Sequence, residues 1–418
     1  MVKRFDAASW RQSPLSGARF DLSRFAAERA AVAEICERVR TEGDAALREL
    51  GLRFDGWAPA EGESFEVGLE RESEEIDAAD REALEFAAGR IREFHERQRP
   101  EQSERGSLRL VTRPVASAGL YAPGGRALYP STVLMTAIPA RVAGVQRVVL
   151  ATPPRADGTV PPAILAAARI AGVDAVYRVG GAQAIAALAY GTETIPRVDV
   201  VAGPGNIYVT LAKREVFGAV GLDGIAGPTE VVVLADGGAR PDFVAADLAA
   251  QLEHDPMAWG VLVTDSDRLA TRAVEELEDL LRDLERAEII RQANCCVIVV
   301  HDMDEALRVV DDFAPEHLLI VAADAEALSA RVRNAGAIFV GPYATVPLGD
   351  YTAGPNHTLP TAGAARYSSP LGVHTFLKRT SVLNLSRGDV RHLRDATVRL
   401  AALEGLGAHA HAVDVRLE

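Results

Sequence analysis

The sequence predicts an α/β protein with two sets of mostly parallel strands, and three observations carry that expectation. Short β-branched runs alternate with Ala-rich helical stretches twice over, from Leu120 to Thr229 and from Glu230 to Val340. The strand-sized runs are almost wholly apolar, as befits strands covered on both faces by crossover helices. Glycine turns such as Gly180-Gly181 and Gly203-Pro204-Gly205 follow them, and in α/β proteins loops at strand ends usually meet ligands.

In the first set, Val148–Leu150, Ala175–Tyr177 and Asp199–Val201 read as buried strands. Pro162–Ala171, Ala182–Tyr190 and Ile207–Phe217 read as the helices between them. The second set has strands at Val231–Leu234, Val261–Thr264, Val297–Val300, His317–Val321 and Ala337–Val340, with helices at Asp242–Glu253, Asp267–Glu285 and Ala325–Asn334. The shared rhythm suggests a duplicated half, although residue identity between the sets is low.

Residues 1–25 are weakly patterned and look like an arm that packs on something larger. From Phe25 to about Gln98 apolar residues recur at helical spacing. After Gly341 the chain is loop-rich through Pro370, as expected of a segment lining a site. The tail, 371–418, holds one helical run, Val390–Leu406, and is too short for a core of its own. It is expected to dock on another surface, a second subunit being one candidate.

At 418 residues the chain exceeds one ordinary core, so two or more domains are expected. It is 48% hydrophobic and 25% charged, the balance of a folded, water-soluble protein. The net charge of -14 argues against a nucleic acid or an anionic membrane as partner, and leaves a cationic small molecule open. Cys36 and the adjacent Cys295–Cys296 give neither a disulfide framework nor zinc-finger spacing. The N-terminal MVKRFDAASWRQS lacks the apolar core of a secretory signal, and no run reaches membrane-helix length. A cytoplasmic protein is the expectation.

Four clusters far apart in the chain carry chemistry when taken together. Gln251 and His254 stand three apart on the helix that His254-Asp255-Pro256 ends, which puts both on one face. Asp350 and His357 lie in Pro-Leu-Gly-Asp-Tyr-Thr-Ala-Gly-Pro-Asn-His, where Gly and Pro allow close approach to a ligand. Glu316-His317 sits at the mouth of a buried strand. A histidine beside a carboxylate there suits general-base work. Glu404 and His409 close the set near the C-terminus. Each cluster alone has a plain alternative: a polar helix end, a solvated turn, a strand-mouth pair facing water, a surface histidine. Combined, they offer a mixed nitrogen/oxygen shell for one divalent metal and a proton-transfer pair. His95 and His301 lack such context, and His411 competes with His409. The glycine turns, Gly124-Gly125 included, do not form a dinucleotide fingerprint and read equally as tight βα turns.

The assembled segments resemble the histidinol dehydrogenase family. They are Gly-Leu-Tyr-Ala-Pro-Gly-Gly (119–125), Val-Gly-Gly-Ala-Gln-Ala-Ile-Ala-Ala-Leu-Ala (179–189), Ala-Gly-Pro-Gly-Asn (202–206), Ala-Gly-Pro-Thr-Glu-Val (226–231), Gln-Leu-Glu-His-Asp (251–255), Ala-Pro-Glu-His-Leu (314–318) and Gly-Asp-Tyr-Thr-Ala-Gly-Pro-Asn-His-Thr-Leu-Pro-Thr (349–361). The likeness runs in order from about Val39 to His409. It implies two Rossmann-like α/β domains with incomplete twisted sheets, a small N-terminal arm and a C-terminal helical tail packing on the partner subunit. The implied boundaries are 1–25 for the arm, 26–119 with 229–370 for the first domain, 120–228 for the nucleotide-binding second, and 371–418 for the dimerisation tail.

The resemblance further implies a homodimer with shared sites that oxidises L-histidinol through the aldehyde to L-histidine with two NAD and one zinc per subunit. By motif, Gln251, His254, Asp350 and the partner chain's copy of residue 409 would hold zinc, and Glu316 and His317 would be the acid/base pair. Thr229, His357 and Glu404 would contact substrate alongside the zinc ligands and His317. Tyr121, Gln183 and Asn206 would line the nucleotide site. Zinc would orient the substrate while NAD accepts hydride. His317 would take the hydroxyl proton, and Glu316 would help water attack the aldehyde. Val145 and Ala151 stand where some members carry cysteine, which favours a water route over a thiohemiacetal. Thr229 keeps the hydroxyl of a commoner Ser, and Leu252 is bulky for its place. Competing expectations are a same-fold NAD-dependent dehydrogenase of another amino alcohol or a sulfonated diol, and a non-catalytic protein with structural zinc.

Overall fold

Strand after strand is apolar on both sides because helices cover both faces, and the topology follows from that. The structure, a computed structural model, describes residues 2–13, 15, 21–69, 76–100, 107–124 and 128–418. Gly125 and part of the N-terminal arm lie outside them. Two units result, Met1–Arg99 with Val115–Phe376, and Pro100–Pro114 with Leu377–Glu418.

The larger unit holds two six-stranded sheets. The first comprises β1 (Lys3–Asp6), β9 (Glu230–Ala235), β10 (Trp259–Thr264), β11 (Asn294–Val299), β12 (His317–Val321) and β13 (Ala337–Val340), in the order β1-β11-β10-β9-β12-β13. Every neighbouring pair is parallel. Val231 through Ala235 are wholly enclosed, between one apolar layer built on helices Pro241–Leu252 and Asp267–Leu280 and another built on Met303–Phe313. The arm adds β1 at the sheet edge and lays Trp10 of helix Ala7–Gln12 against Phe313.

The second sheet comprises β2 (Glu66–Val67), β4 (Ser117–Tyr121), β5 (Arg147–Thr152), β6 (Ala175–Arg178), β7 (Val200–Ala202) and β8 (Gly221–Leu222), in the order β2-β6-β5-β4-β7-β8. Only β2 runs antiparallel. Setting the edge strands β1 and β2 aside, both sheets have one order, third-second-first-fourth-fifth along the chain. This is the doubly wound arrangement, and it gives the duplicated rhythm a structural counterpart.

The helical segment departs from the expected grouping of 26–119 with 229–370. Val32, Ile35, Val39, Leu47 and Leu50 share one core with Tyr121, Val149, Ile185 and Val201 of the second sheet. The apolar faces of helices Ala26–Glu42 and Asp44–Phe54 are buried there, and nothing in their spacing marked which sheet would receive them.

In the smaller unit, β3 (Leu108–Pro114) and β14 (Leu377–Leu383) form an antiparallel ribbon, and helices Arg387–Leu403 and Gly407–Asp414 follow. Ser386 and Asp389 form a capping box at the first helix start. The ribbon was not foreseen, because its partner strand comes from residues far earlier in the chain. Leu383, Leu400 and Leu403 stay more than half exposed. Among the described residues no helix is long and apolar enough to cross a membrane.

Candidate active site

Parallel pairing sets the amino ends of β9 and β12 level, with His317 beside Val231 and Ala337. The chain reaches that edge from helix Met303–Phe313 through Ala314, whose φ of 50° is uncommon for a residue with a side chain. Ala314 closes the helix with a bond to the Val310 carbonyl, and Pro315 then directs the chain into the strand. Glu316 and His317 arrive 6% and 4% exposed.

His317 Nδ1–H donates to the Glu230 carbonyl at 3.0 Å, which leaves Nε2 carrying the lone pair. Nε2 is buried, has no hydrogen-bond partner, and lies 3.8 Å from Asp350 Oδ1. Burial holds the imidazole pKa below its ordinary value, against the pull of Asp350. Glu316 Oε2 is 3.6 Å from Nδ1, but that N–H already serves Glu230. Instead Oε2 accepts from the Thr229 hydroxyl at 2.6 Å and the Glu230 N–H at 2.8 Å. Burial outweighs both bonds and pushes the Glu316 carboxyl up to about 7.

Thr229 Oγ1 in turn accepts from Gln251 Nε2. This fixes the amide and leaves Gln251 Oε1 buried without a partner. Gln251 ends the buried face of helix Pro241–Leu252, and His254 lies just past the Glu253 cap. His254 is exposed as a residue, yet protein crowds its imidazole enough to lower its pKa, and His317 adds to the effect.

Asp350 belongs to a short helix, Val346–Tyr351, and not to the open loop expected; Pro347 suits the first turn, where its missing N–H costs nothing. Its side chain is 18% exposed. Burial lifts its carboxyl up to about 6 against the pull of His317, and Glu316 raises it further. His357 does lie in a loop. Its Nδ1–H donates to the Asp350 carbonyl at 3.0 Å, and its Nε2 pairs with the Thr132 hydroxyl at 3.2 Å. Burial holds its pKa down to about 4.

Thr229, Gln251, His254, Glu316, His317, Asp350 and His357 thus converge at one edge of the first sheet. A carboxyl forced toward neutrality, neutral imidazoles and an orphaned amide oxygen are groups that a divalent cation would satisfy. The fit is incomplete in this unit. Among the described residues no three His, Cys, Asp or Glu side chains form a metal-holding group, so His254, Asp350 and the Gln251 amide need a further donor. Glu404 and His409 lie in the smaller unit, at the end of Arg387–Leu403 and in Gly407–Asp414, and both are exposed.

Tyr121, Gln183 and Asn206 gather at the carboxyl edge of the second sheet. The Tyr121 hydroxyl accepts the Gly181 N–H at 3.1 Å, and burial pushes its pKa up to about 12. Gln183 is buried in the first turn of helix Gly181–Tyr190. Asn206 caps helix Ile207–Val216 through bonds from the Tyr208 and Val209 N–H groups at 3.0 and 3.2 Å. Gly203, at φ 121°, passes so close to Tyr121 that a Cβ would stand 2.1 Å from its carbonyl oxygen. Sequence reasoning missed Thr132, which orients His357, and the Glu230 carbonyl, which sets the His317 tautomer. A hydroxyl inside an apolar helix gives only a faint signal, and a carbonyl gives none.

The chain is similar to known proteins along nearly its whole length. The family model described as histidinol dehydrogenase matches residues 21–417. The histidinol dehydrogenase of Cereibacter sphaeroides is 51% identical over 399 residues, 93% of this chain and 92% of its own. That of Geobacillus kaustophilus is 50% identical over 400 residues, 94% of each. The crystal structure of histidinol dehydrogenase from Elizabethkingia anophelis superposes with a TM-score of 0.90 at 32% identity, covering 100% of this chain and 98% of that one. A likeness that spans nearly every residue, and takes in the buried Glu316–His317 pair with its neighbours, makes this chain a member of the histidinol dehydrogenase family.

Proposed function

We propose that this oxidoreductase converts L-histidinol through L-histidinaldehyde to L-histidine, with two successive hydride transfers to NAD and one zinc ion per subunit. The observation that carries the reading is the pairing at one buried edge of a neutral imidazole with a free Nε2 and a carboxyl poised at about 7. When bound, NAD accepts hydride and zinc orients the imidazole and amino nitrogens of the substrate. Gln251 Oε1, His254 and Asp350 would hold the metal, with the partner chain's copy of His409 as the further donor.

The residues of the chain then move protons. His317 Nε2 takes the hydroxyl proton as the carbinol carbon loses hydride. Its Nδ1–H stays on Glu230, so the ring does not turn as it becomes charged. Glu316 takes a proton from the water that adds to the aldehyde while His317 returns its proton to the aldehyde oxygen. The resulting hydrate then loses the second hydride to NAD and a hydroxyl proton to His317. A carboxyl near neutrality can accept and return that proton at working pH, and such help is worth roughly 10²–10⁴-fold in rate. Val145 and Ala151 hold no thiol that could trap the aldehyde, which supports the water route.

A homodimer with shared sites belongs to the same reading. The exposed Leu383, Leu400 and Leu403 suit burial against a second copy, and Glu404 and His409 would reach substrate and metal there. The test is NADH release from L-histidinol, expected at two per substrate, lost on chelation and restored by zinc. A chain ending before Arg391 should be inactive. Turnover of only another amino alcohol or a sulfonated diol, or one NADH per substrate, would overturn the assignment.

A further inference from the structure

The segment Phe54-Asp55-Gly56 reads in sequence as mere punctuation, yet the fold carries Asp55 into the carboxyl edge of the second sheet. Asp55 caps the end of helix Asp44–Phe54, its own N–H donating to the Gly51 carbonyl at 2.9 Å. Burial raises the pKa of its half-buried carboxyl, against the pull of the Gly180 backbone and the Gln183 side chain beside it. Gly180 admits it closely: a Cβ there would stand 3.0 Å from Asp55 Oδ1 and 2.6 Å from Pro153 Cβ. Asp55 also lies near enough to Tyr121 to disfavour ionisation of that phenol. Asp55, Tyr121 and Gln183 therefore surround the one Gly180-Gly181 turn.

We propose that Asp55 sets the choice of dinucleotide, accepting the adenosine ribose hydroxyls of NAD and excluding the 2′-phosphate of NADP. This rests on reading the Tyr121, Gln183 and Asn206 edge as the nucleotide site. No lysine or arginine among the described residues pairs with Asp55, so only the Gly180 backbone and the Gln183 side chain favour its charge, just where an anionic cofactor would lie. Burial works against that charge, and ligand hydroxyls would favour it further. The two oxygens of a carboxylate match a vicinal diol, and doubly wound folds place an acid on the ribose for that purpose. A 2′-phosphate, at about −1.5 to −2 charge, would meet the carboxylate in a poorly screened crevice. The usual remedy is an arginine. Arg178, at the end of β6, is instead committed to the carbonyls of Ser64, Phe65, Glu66 and Gly158 and stacks on Trp57.

The test combines calorimetric binding of NAD and NADP, without substrate, with steady-state kinetics on both. The unaltered enzyme should prefer NAD. Asp55→Asn should weaken NAD about tenfold and raise the NADP/NAD ratio of kcat/KM by about tenfold or more, while Asp55→Glu stays selective for NAD. Asp55→Ser serves if the Asn variant does not fold. Equal use of NADP by the unaltered enzyme would overturn the proposal. So would an unchanged ratio in both neutral variants while Gln183→Ala weakens NAD, an outcome that leaves the nucleotide site standing. If neither Gln183→Ala nor the Asp55 variants alter NAD binding, the nucleotide reading falls first and the proposal with it.

Discussion

The two sheets share one strand order and yet place their chemistry on opposite edges. In the second sheet, the first and fourth strands of the common order, β4 and β7, present Tyr121 and the Gly203–Asn206 turn at their carboxyl ends. That is the switch-point crevice in which doubly wound folds bind ligands. In the first sheet the same two strands, β9 and β12, present Thr229, Glu230, Glu316 and His317 at their amino ends. The carboxyl edge spends its polar groups on itself. Asn206 caps a helix, Tyr121 takes the Gly181 N–H, and the buried Lys213–Asp223 pair grips both backbone polar groups of Gly203. The amino edge leaves His317 Nε2 and Gln251 Oε1 buried and unsatisfied, with two carboxyls forced upward. One edge holds a shape and the other stores reactivity, so damage to each should register in different measurements.

The sharpest way to break that contrast is His317→Asn. The Asn amide can still donate to the Glu230 carbonyl, so the fold should survive, while the lone pair of Nε2 is lost. We expect kcat to fall by roughly 10²–10⁴-fold with NAD binding unchanged by calorimetry. A loss under tenfold would remove His317 from the proton path and leave the amino edge without a base.

Next in size is the stability carried by Glu316. Its carboxyl is raised from 4.5 to about 7 in the fold. The folded chain therefore holds a proton that the unfolded chain gives up, and the stability from this group is complete below pH 4.5 and lost as pH climbs through 7. At about 1.4 kcal/mol per unit the loss is about 3 kcal/mol. Glu316→Gln should be as stable as the parent near pH 4.5 and up to about 3 kcal/mol more stable at pH 8, read from urea midpoints in metal-free buffer, although far less active. His357 works on the other side: held down to about 4, it costs stability as pH falls from 6.5 toward 4 in both proteins. Parallel pH profiles for parent and variant would refute the stored-charge account.

Much of this was legible in the chain. Val231–Leu234 and His317–Val321 were readable as strands because each is apolar without interruption, and helix Pro162–Ala171 because Pro starts it and Gly172 ends it. The candidate clusters were readable because Gln, His, Asp and Glu between glycine and proline are chemically conspicuous. Pairings between distant segments were not. The β3–β14 ribbon joins residues some 270 positions apart in the chain, and local pattern does not encode a partner. Helix Val346–Tyr351 hid because Pro347 and Gly349 argue for a loop, whereas Gly349 is needed where a Cβ would strike the Phe339 ring. Asp55 hid because its meaning depends wholly on Gly180 and Gln183 arriving beside it.

The smallest effect should come from Asn206, and it tests the carboxyl edge alone. Its Oδ1 already serves two helix N–H groups, which leaves only the amide nitrogen for a nucleotide. Asn206→Ala should cost about 1 kcal/mol of stability through the lost cap and raise KM for NAD a few-fold, with kcat for histidinol held. Asn206→Asp separates the two roles. A carboxylate caps as well as the amide and is favoured by the helix dipole, so the melting temperature should hold, while its charge faces the cofactor and NAD should bind more weakly than in the parent. If kcat fell with KM in both variants, the carboxyl edge would be taking part in proton transfer, and the division of labour between the sheets would be gone.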